Sequence, residues 1–264
     1  MIEHLKIILL HFEQIIEHRA RSFIWFLLAL INPLILIMFW RGANKDSLSG
    51  QITISELTIY YFFLIIAVTF LMSHIEEDVA YYDIKQGNLV RYLLRPISYY
   101  WIKFYEELPY RVLQGFYGLI ILAIFFSFFG NFASPLLTPL IFILSILIAI
   151  FAYFISFTFK MIVGLLAFWF VEIGGLFNVM EVIIVVFAGL IMPISLMPLP
   201  IKNLANYLPF SYIVYYPVFA FLGKFAELRL VEIILTQILW LLILLTVYKI
   251  LWIKGIKKFT GVGN

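Results

Sequence analysis

The chain has 264 residues, of which 64% are hydrophobic and only 12% are charged, and its mean hydropathy is +1.06. This composition excludes an ordinary soluble domain and predicts an all-α integral membrane protein, because the apolar blocks run for about 20 residues without the alternation of a β-barrel. The net charge is +3, and the absence of cysteine excludes disulfides, thiolate metal sites and cysteine nucleophiles.

The first element, residues 1–21, is predicted to be an amphipathic helix that lies in the membrane interface. Its apolar side chains keep helical spacing, and polar and charged side chains occupy the other face. Glu3, Glu13 and Glu17 interrupt the apolar stretch, which argues against a cleavable signal peptide. The chain is therefore expected to run along the membrane surface before its first crossing.

Two predicted spans, residues 22–40 and 56–74, precede a charged interval over residues 75–109 that we predict to be a cytoplasmic loop. The first of them contains the pair Asn32-Pro33, which predicts a kink. The interval opens with four carboxylates, at Glu76, Glu77, Asp78 and Asp83. Such a cluster could bind a metal ion or act in acid–base chemistry, whereas a solvated loop explains the same residues without either.

The centre of this interval reads GNLVRYLLRP, residues 87–96, and is amphipathic. On a helix, one face would carry Leu89, Leu93 and Leu94, and another would carry Asn88, Arg91 and Arg95. Gly87 can start such a helix and Pro96 limits it, because the residue before a proline is biased out of helix. We predict a short helix across the cytoplasmic membrane surface, where a protein outside the membrane could push on the spans.

The second half of the chain is predicted to contain four more spans and one interfacial segment. The spans are residues 110–129, 136–158, 174–194 and 230–252, and the interfacial segment is 159–172. The carboxylates best placed inside the membrane are Glu172, Glu181 and Glu232, and such groups are functional candidates because a charge in hydrocarbon is costly. Glu181, with Asn178 beside it, could line a pathway, accept a proton, pair with a partner or lie at a seam between subunits.

Residues 189–225 are unusual because five prolines divide an apolar stretch into pieces that are too short to span a bilayer. Broken backbone survives at membrane depth only when it is packed against protein, so we predict re-entrant or interfacial half-helices here. Placing the N-terminus inside puts 13 of the 18 Lys and Arg residues on the cytoplasmic side. The positive-inside rule then favours six spans in the cytoplasmic membrane with both termini in the cytoplasm.

No phosphate-binding loop of the form GxxxxGK[ST] occurs, and no other motif of catalysis or dinucleotide binding appears. We therefore expect this chain not to be an enzyme, and to bind no metal, cofactor or nucleic acid.

In this six-span frame, two segments resemble the type-2 ATP-binding-cassette exporter permeases. The family's cytoplasmic coupling segment, G-x-L-x-x-x-L-L-R-P, is matched by Gly87, Leu89, Leu93, Leu94, Arg95 and Pro96, with Arg91 between them. Its external hairpin is matched by Gly189, Pro193, Pro198, Leu208, Pro209, Phe210, Tyr212, Pro217 and Gly223. The resemblance covers essentially the whole chain.

The resemblance implies one permease domain over residues 1–264 that pairs with a second permease, identical or related, within membrane lipid. Separate ATPase subunits would bind ATP and Mg²⁺, and the coupling segment would sit in a groove of the ATPase. ATP-driven closure would move the first three spans together, and the external hairpin would close the outer end of the pathway. An apolar, aromatic-rich pathway favours an amphipathic, drug-like or lipid-like substrate.

Two other functions are also compatible with the sequence. A stand-alone secondary transporter or channel could use Glu181 as a proton or ion site, although no clear internal repeat is present. An intramembrane enzyme could use Glu172, Glu181 or the acidic loop, although no second catalytic group at the same depth is evident. Co-purification of an ATPase would separate the exporter from both.

Overall fold

The computed structural model describes residues 13, 19–42, 53–129 and 138–259, and all regular structure within these ranges is helical. The α-helices of the described residues are α1 (Arg19–Gly42), α2 (Ile54–Leu71), α3 (Val90–Leu93), α4 (Tyr99–Phe129), α5 (Pro139–Leu165), α6 (Gly174–Phe187), α7 (Leu199–Tyr207), α8 (Tyr215–Phe221) and α9 (Glu227–Ile256). Between them lie one π-helix, Asp78–Lys85, and short 3₁₀ turns at Leu166–Phe168, Ile194–Leu196 and Pro209–Tyr212. The predicted interfacial helix over residues 1–21 lies almost wholly outside the described residues.

Side-chain caps fix where two of the apolar helices begin. At the start of α2, the Thr53 hydroxyl accepts a hydrogen bond from Glu56 N at 3.2 Å, and Thr53 N donates to Glu56 Oε2 at 2.9 Å. At the start of α5, the Thr138 hydroxyl accepts from Ile141 N at 3.2 Å, and Pro139 is the first helical residue. These contacts satisfy N–H groups that have no partner inside the helix, so both helices start at defined residues.

Among the described residues, three helices are long and apolar enough to cross a membrane, namely α2, α9 and α5 with its 3₁₀ extension to Phe168. Two shorter apolar helices, Phe26–Gly42 within α1 and Gly174–Phe187, accompany them. The chain is therefore a multi-pass membrane protein. The count of six spans stays a prediction, because the 14 residues of α6 extend about 21 Å at 1.5 Å per residue, less than a hydrocarbon core of about 30 Å.

Several helices do not end where the predicted spans end. The helix of the fourth predicted span continues past 158 through Lys160 to Leu165. The helix of the fifth ends at Phe187 and does not reach 194, and the helix of the sixth is longer than predicted at both ends. The charged interval 75–109 is also not an open loop, since it contains the π-helix, α3 and the first turns of α4.

The core is built around α5 and α9, which pack along each other. Gln237 Nε2 of α9 donates to Ile148 O of α5 at 3.0 Å, and Gly255 near the end of α9 lies against the ring of Phe168 just beyond α5. Both contacts advance along the two helices in the same order, so α5 and α9 run in the same direction. A second group joins α1, α2 and α4, where Gly115 of α4 faces the Phe70 ring of α2.

Candidate functional site

The π-helix leads directly into the predicted coupling segment, residues 87–96. Its wide turn is visible in the hydrogen bond from Gln86 N to Tyr81 O at 3.0 Å, five residues back. Gly87 has φ +79°, a left-handed conformation that favours glycine, and the Asn88 amide then donates to Tyr82 O at 2.7 Å. The chain therefore reverses sharply at the point where the sequence predicted the helix to start.

The helix within the coupling segment is a single turn, Val90–Leu93, and its face is not the predicted one. Leu89 is fully buried, whereas Leu93 is 42% exposed and Leu94 is 82% exposed. Arg95 and Pro96 are exposed as well. The three leucines are therefore not buried together, as one apolar face on the protein would require. Leu89 lies at the N-cap of this turn, where its N–H donates to Asp83 O at 2.9 Å.

Behind this exposed surface lies a group of polar side chains that we call the Lys103 cluster, consisting of Asp83, Tyr92, Tyr99, Lys103 and Glu106. Lys103 Nζ is 2.9 Å from Asp83 Oδ2 of the π-helix and 2.9 Å from Glu106 Oε2 of α4. The Tyr99 hydroxyl donates to the same Asp83 oxygen at 2.6 Å. Lys103 and Asp83 are both almost fully buried, so their charges balance each other away from solvent.

Tyr92 connects α3 to this cluster. Its hydroxyl donates to Glu106 Oε2 at 3.4 Å, and Lys103 Nζ lies 5.1 Å from its ring centroid. The guanidinium carbons of Arg91 and Arg95 lie 4.9 Å and 5.6 Å from the same centroid, within cation–π range. Burial raises the pKa of the Tyr92 hydroxyl, which therefore stays a hydrogen-bond donor at neutral pH.

Lys103 lies before the apolar part of α4, and its charge is strongly stabilised. Burial lowers the pKa of its ammonium group, but the carboxylates of Glu106 and Asp83 more than offset this effect, and the net pKa is raised. Lys103 is therefore permanently cationic under physiological conditions. One local signal for this contact is visible in the sequence, namely the i, i+3 spacing of Lys103 and Glu106.

A second ionic cluster joins the predicted pathway residue Glu181 to the acidic interval. Lys160 Nζ of α5 is 2.5 Å from Glu76 Oε1 and 3.3 Å from Glu181 Oε2 of α6. The side chains of Lys160 and Glu76 are 5% and 9% exposed, whereas that of Glu181 is 46% exposed. Asn178, one turn before Glu181, is exposed too. Glu181 therefore forms an ion pair with Lys160 of its own chain, while about half of its side chain remains exposed.

A third cluster holds Glu107, which sequence reasoning did not single out as a site. Glu107 accepts hydrogen bonds from Ser73 Oγ at 2.8 Å and His74 N at 3.0 Å. Arg111 Nε lies 2.9 Å from Glu107 Oε1, and Arg111 Nη2 lies 2.9 Å from His74 Nδ1. These contacts tie the end of α2 to the middle of α4.

The interpretation of the acidic interval as a solvated loop is wrong for its buried members. The side chains of Glu76, Asp83 and Glu107 are each at most 9% exposed, and each pairs with a different base. Within the described ranges, no group of three or more His, Asp or Glu side chains is arranged to hold a metal ion. The carboxylates instead hold helices together as separate ion pairs.

The predicted external segment, residues 189–225, consists of short helical pieces between two turns. Gly189 and Gly223 have φ of +85° and +64°, so both turns use left-handed backbone. The hydroxyls of Tyr60 and Tyr61 in α2 donate to the carbonyls of Gly189 and Ile191 at 2.8 Å and 2.7 Å. The pieces are therefore attached to α2 at the beginning of the segment.

Most of the residues that were predicted to form this segment are buried, namely Pro193, Pro209, Phe210, Tyr212 and Pro217, whereas Pro198 is exposed. Gln237 of α9 donates to Tyr212 O at 3.0 Å, and the Phe210 ring meets Phe159 of α5 edge-on at 5.1 Å. Lys224, just after Gly223, forms an ion pair with Glu56 at the first turn of α2. Short helices packed on protein are what the prolines predicted, while their depth in the membrane stays a prediction.

Comparison with known protein families gives a match over most of the chain. A family model described as "ABC-2 family transporter protein" matches residues 23–263, which is nearly the whole chain. The match includes the Lys103 cluster, the ionic cluster of Lys160, Glu76 and Glu181, and the external segment. No curated protein matches the chain.

Proposed function

Since the chain belongs to the ABC-2 family of transporter proteins, we propose that it is one transmembrane permease subunit of an ATP-driven exporter. The substrate would be an amphipathic, drug-like or lipid-like compound that moves outward across the cytoplasmic membrane. The observation that carries this proposal is the exposed surface of Leu93, Leu94 and Arg95, which is rigidly backed by a buried polar cluster. Exposed leucines beside arginines are typical of a surface that binds another protein.

The partner at this surface would be an ATPase subunit that binds ATP and Mg²⁺. These 264 residues contain no phosphate-binding loop, and in our proposal the ATPase subunit supplies the energy. The coupling segment would consist of Gly87, Leu89, Arg91, Leu93, Leu94, Arg95 and Pro96. Of these, Leu93, Leu94 and Arg95 would contact the ATPase, while Leu89 would anchor the segment from inside.

Asn178 and Glu181 are our candidates for the substrate pathway. The side chains of both are at least partly exposed on an otherwise apolar membrane helix. If they faced lipid, burying their polar groups in hydrocarbon would cost free energy. A water-containing pathway or the surface of a second permease would remove that cost. A homodimer or a heterodimer with a related permease would place two such helices along one pathway.

The external gate would be formed by Gly189, Pro193, Pro198, Pro209, Phe210, Tyr212, Pro217 and Gly223. The hydrogen bonds from Tyr60, Tyr61 and Gln237 support this role, since they connect backbone carbonyls of the segment to two membrane helices, α2 and α9. A segment held in this way can respond to movement of α2. Its place on the outer side follows from the positive-inside count.

The docking surface is tested by combining Arg95→Glu with Leu93→Asp. We expect this variant to insert into the membrane normally and to lose the co-purifying ATPase, because it reverses a charge and buries a carboxylate at the contact. Lys202→Glu with Leu204→Asp on α7 is a matched control that should keep the ATPase. Unchanged recovery of the ATPase with the Arg95 variant would show that the coupling segment is assigned wrongly.

Identification of the partners is the wider test. The protein is extracted from its native host in mild detergent, and the co-purifying chains are identified by mass spectrometry. A stoichiometric chain with a phosphate-binding loop would support the exporter, and a second permease would establish a heterodimer. A lone protein, in a detergent that preserves other complexes, would favour a secondary transporter that uses Glu181. In the exporter, Glu181→Gln should reduce transport more than assembly.

A further inference from the structure

The exposed docking surface is too small to hold its own position. Its helix has four residues, and an isolated helix of that length is unstable in water. The surface must therefore be held by contacts to the rest of the protein. Leu89 supplies one of these contacts through its buried side chain, and Asn88 supplies another through its hydrogen bond to Tyr82 O. Tyr92 supplies the contacts to the Lys103 cluster.

Lys103 is the member of that cluster that contacts the π-helix, α3 and α4. It pairs with Asp83 of the π-helix, pairs with Glu106 of α4 and lies over the ring of Tyr92 of α3. The three elements therefore meet at one buried ammonium group. Without its positive charge, two carboxylates from different elements would face each other with little solvent between them.

The cluster also reaches α9. The ring of Tyr99 stacks on Trp252 of α9, with centroids 4.8 Å apart and planes 10° apart, while its hydroxyl bonds Asp83. Tyr92 and Tyr99 meet edge-on at 5.5 Å. A displacement of α3 is therefore resisted by α4 directly and by α9 through an aromatic stack.

We propose that Lys103 is the positioning residue that fixes the coupling segment to the base of α4, so that movement of the segment passes into this helix. The proposal rests on the proposed function, because it takes the exposed surface to be the ATPase contact. Lys103 acts through Asp83, Glu106 and Tyr92 and itself contacts neither the ATPase nor the substrate. Loss of Lys103 leaves the surface residues present but no longer held in one place.

The first experiment measures the position of the segment directly. Spin labels are attached at Gln86→Cys, before the segment, and at Val112→Cys, an exposed position further along α4. This chain itself contributes no other label, because it has no cysteine. The full complex from the native host is used. We expect one narrow distance distribution in the parent protein and a broad one in Lys103→Met. Lys103→Arg, which keeps the charge and the donors, should restore a narrow distribution.

The second readout is the amount of ATPase that co-purifies. For Lys103→Met we expect the apparent affinity for the ATPase to fall about tenfold, a size typical of coupling between two positions in a protein. Lys249→Met, at an exposed lysine of α9, is the matched control and should change neither readout. A narrow distance distribution together with full ATPase recovery in Lys103→Met would overturn the proposal.

A milder variant covers the case in which Lys103→Met does not fold. Asp83→Asn keeps the Lys103–Glu106 pair and an acceptor for Tyr99, but removes the charge that ties the π-helix to Lys103. It should broaden the distance distribution in folded protein, and an unchanged distribution would contradict the proposal. If Lys103→Met broadens the narrow distribution of the parent protein but no ATPase co-purifies with the parent, the proposed function fails while the positioning role of Lys103 stands.

Discussion

Lys160 is buried between two carboxylates with different exposure, and this difference sets what each contributes to stability. Removing its ammonium group in Lys160→Met leaves Glu76 charged and buried, which we expect to cost about 3–5 kcal/mol of unfolding free energy. Glu181→Gln removes a longer and half-exposed pair, so we expect a loss of about 1 kcal/mol or less. Thermal unfolding of the detergent-purified variants measures both, and equal losses would contradict this account.

Individual residues also show where sequence reasoning stops. The carboxylate of Glu76 was visible as a charge in a polar interval, but its partner Lys160 lies 84 residues away. No local periodicity connects the two, so the sequence could not show that Glu76 is buried. Glu181 was identified because a carboxylate in an apolar helix is unusual in itself. Its half-exposed position keeps it a candidate, and its partner could only be seen in the fold.

At the scale of elements, the close contact between α5 and the π-helix depends on Gly164. A Cβ atom at this position would lie 2.7 Å from Val79 Cβ and 3.0 Å from the backbone oxygen of Glu76. Gly164→Ala should therefore push the π-helix away from α5 and cost about 1–3 kcal/mol, as overpacking does. Gly175→Ala on α6 meets nothing within 4 Å and should be neutral or slightly stabilising, so it is the control.

Both variants are compared by thermal unfolding and by recovery of the co-purifying ATPase. Gly164→Ala should lower both quantities, because the π-helix carries Asp83 into the Lys103 cluster. Equal stability of the two variants would show that Val79 can move aside at little cost in unfolding free energy.

The existence of most long helices could be predicted from hydropathy alone. The end of α5 could not be predicted in this way. A lysine normally marks the end of a span, but Lys160 lies inside α5 because it is buried in an ion pair with Glu76.

At the scale of the whole molecule, the parallel course of α5 and α9 constrains the topology. Both helices are long enough to span and run in the same direction, so the chain between them must cross back. Between α5 and α9, α6 is the only described α-helix of ten or more residues, and its 14 residues are too few to span the membrane. The turn at Gly189 and the short helices after it would therefore have to complete the crossing. The proline-rich segment would then lie on the outer side, opposite the coupling segment.

This arrangement predicts which side of the membrane each segment faces. Single cysteines are placed at the exposed Asn203 of α7, Gln86 before the coupling segment and Lys257 after α9, in a chain that has no other cysteine. A membrane-impermeant maleimide should label Asn203→Cys in intact cells, and should label Gln86→Cys and Lys257→Cys only after permeabilisation. Labelling of Asn203→Cys and Lys257→Cys from the same side would contradict the six-span topology, because α9 alone must separate them.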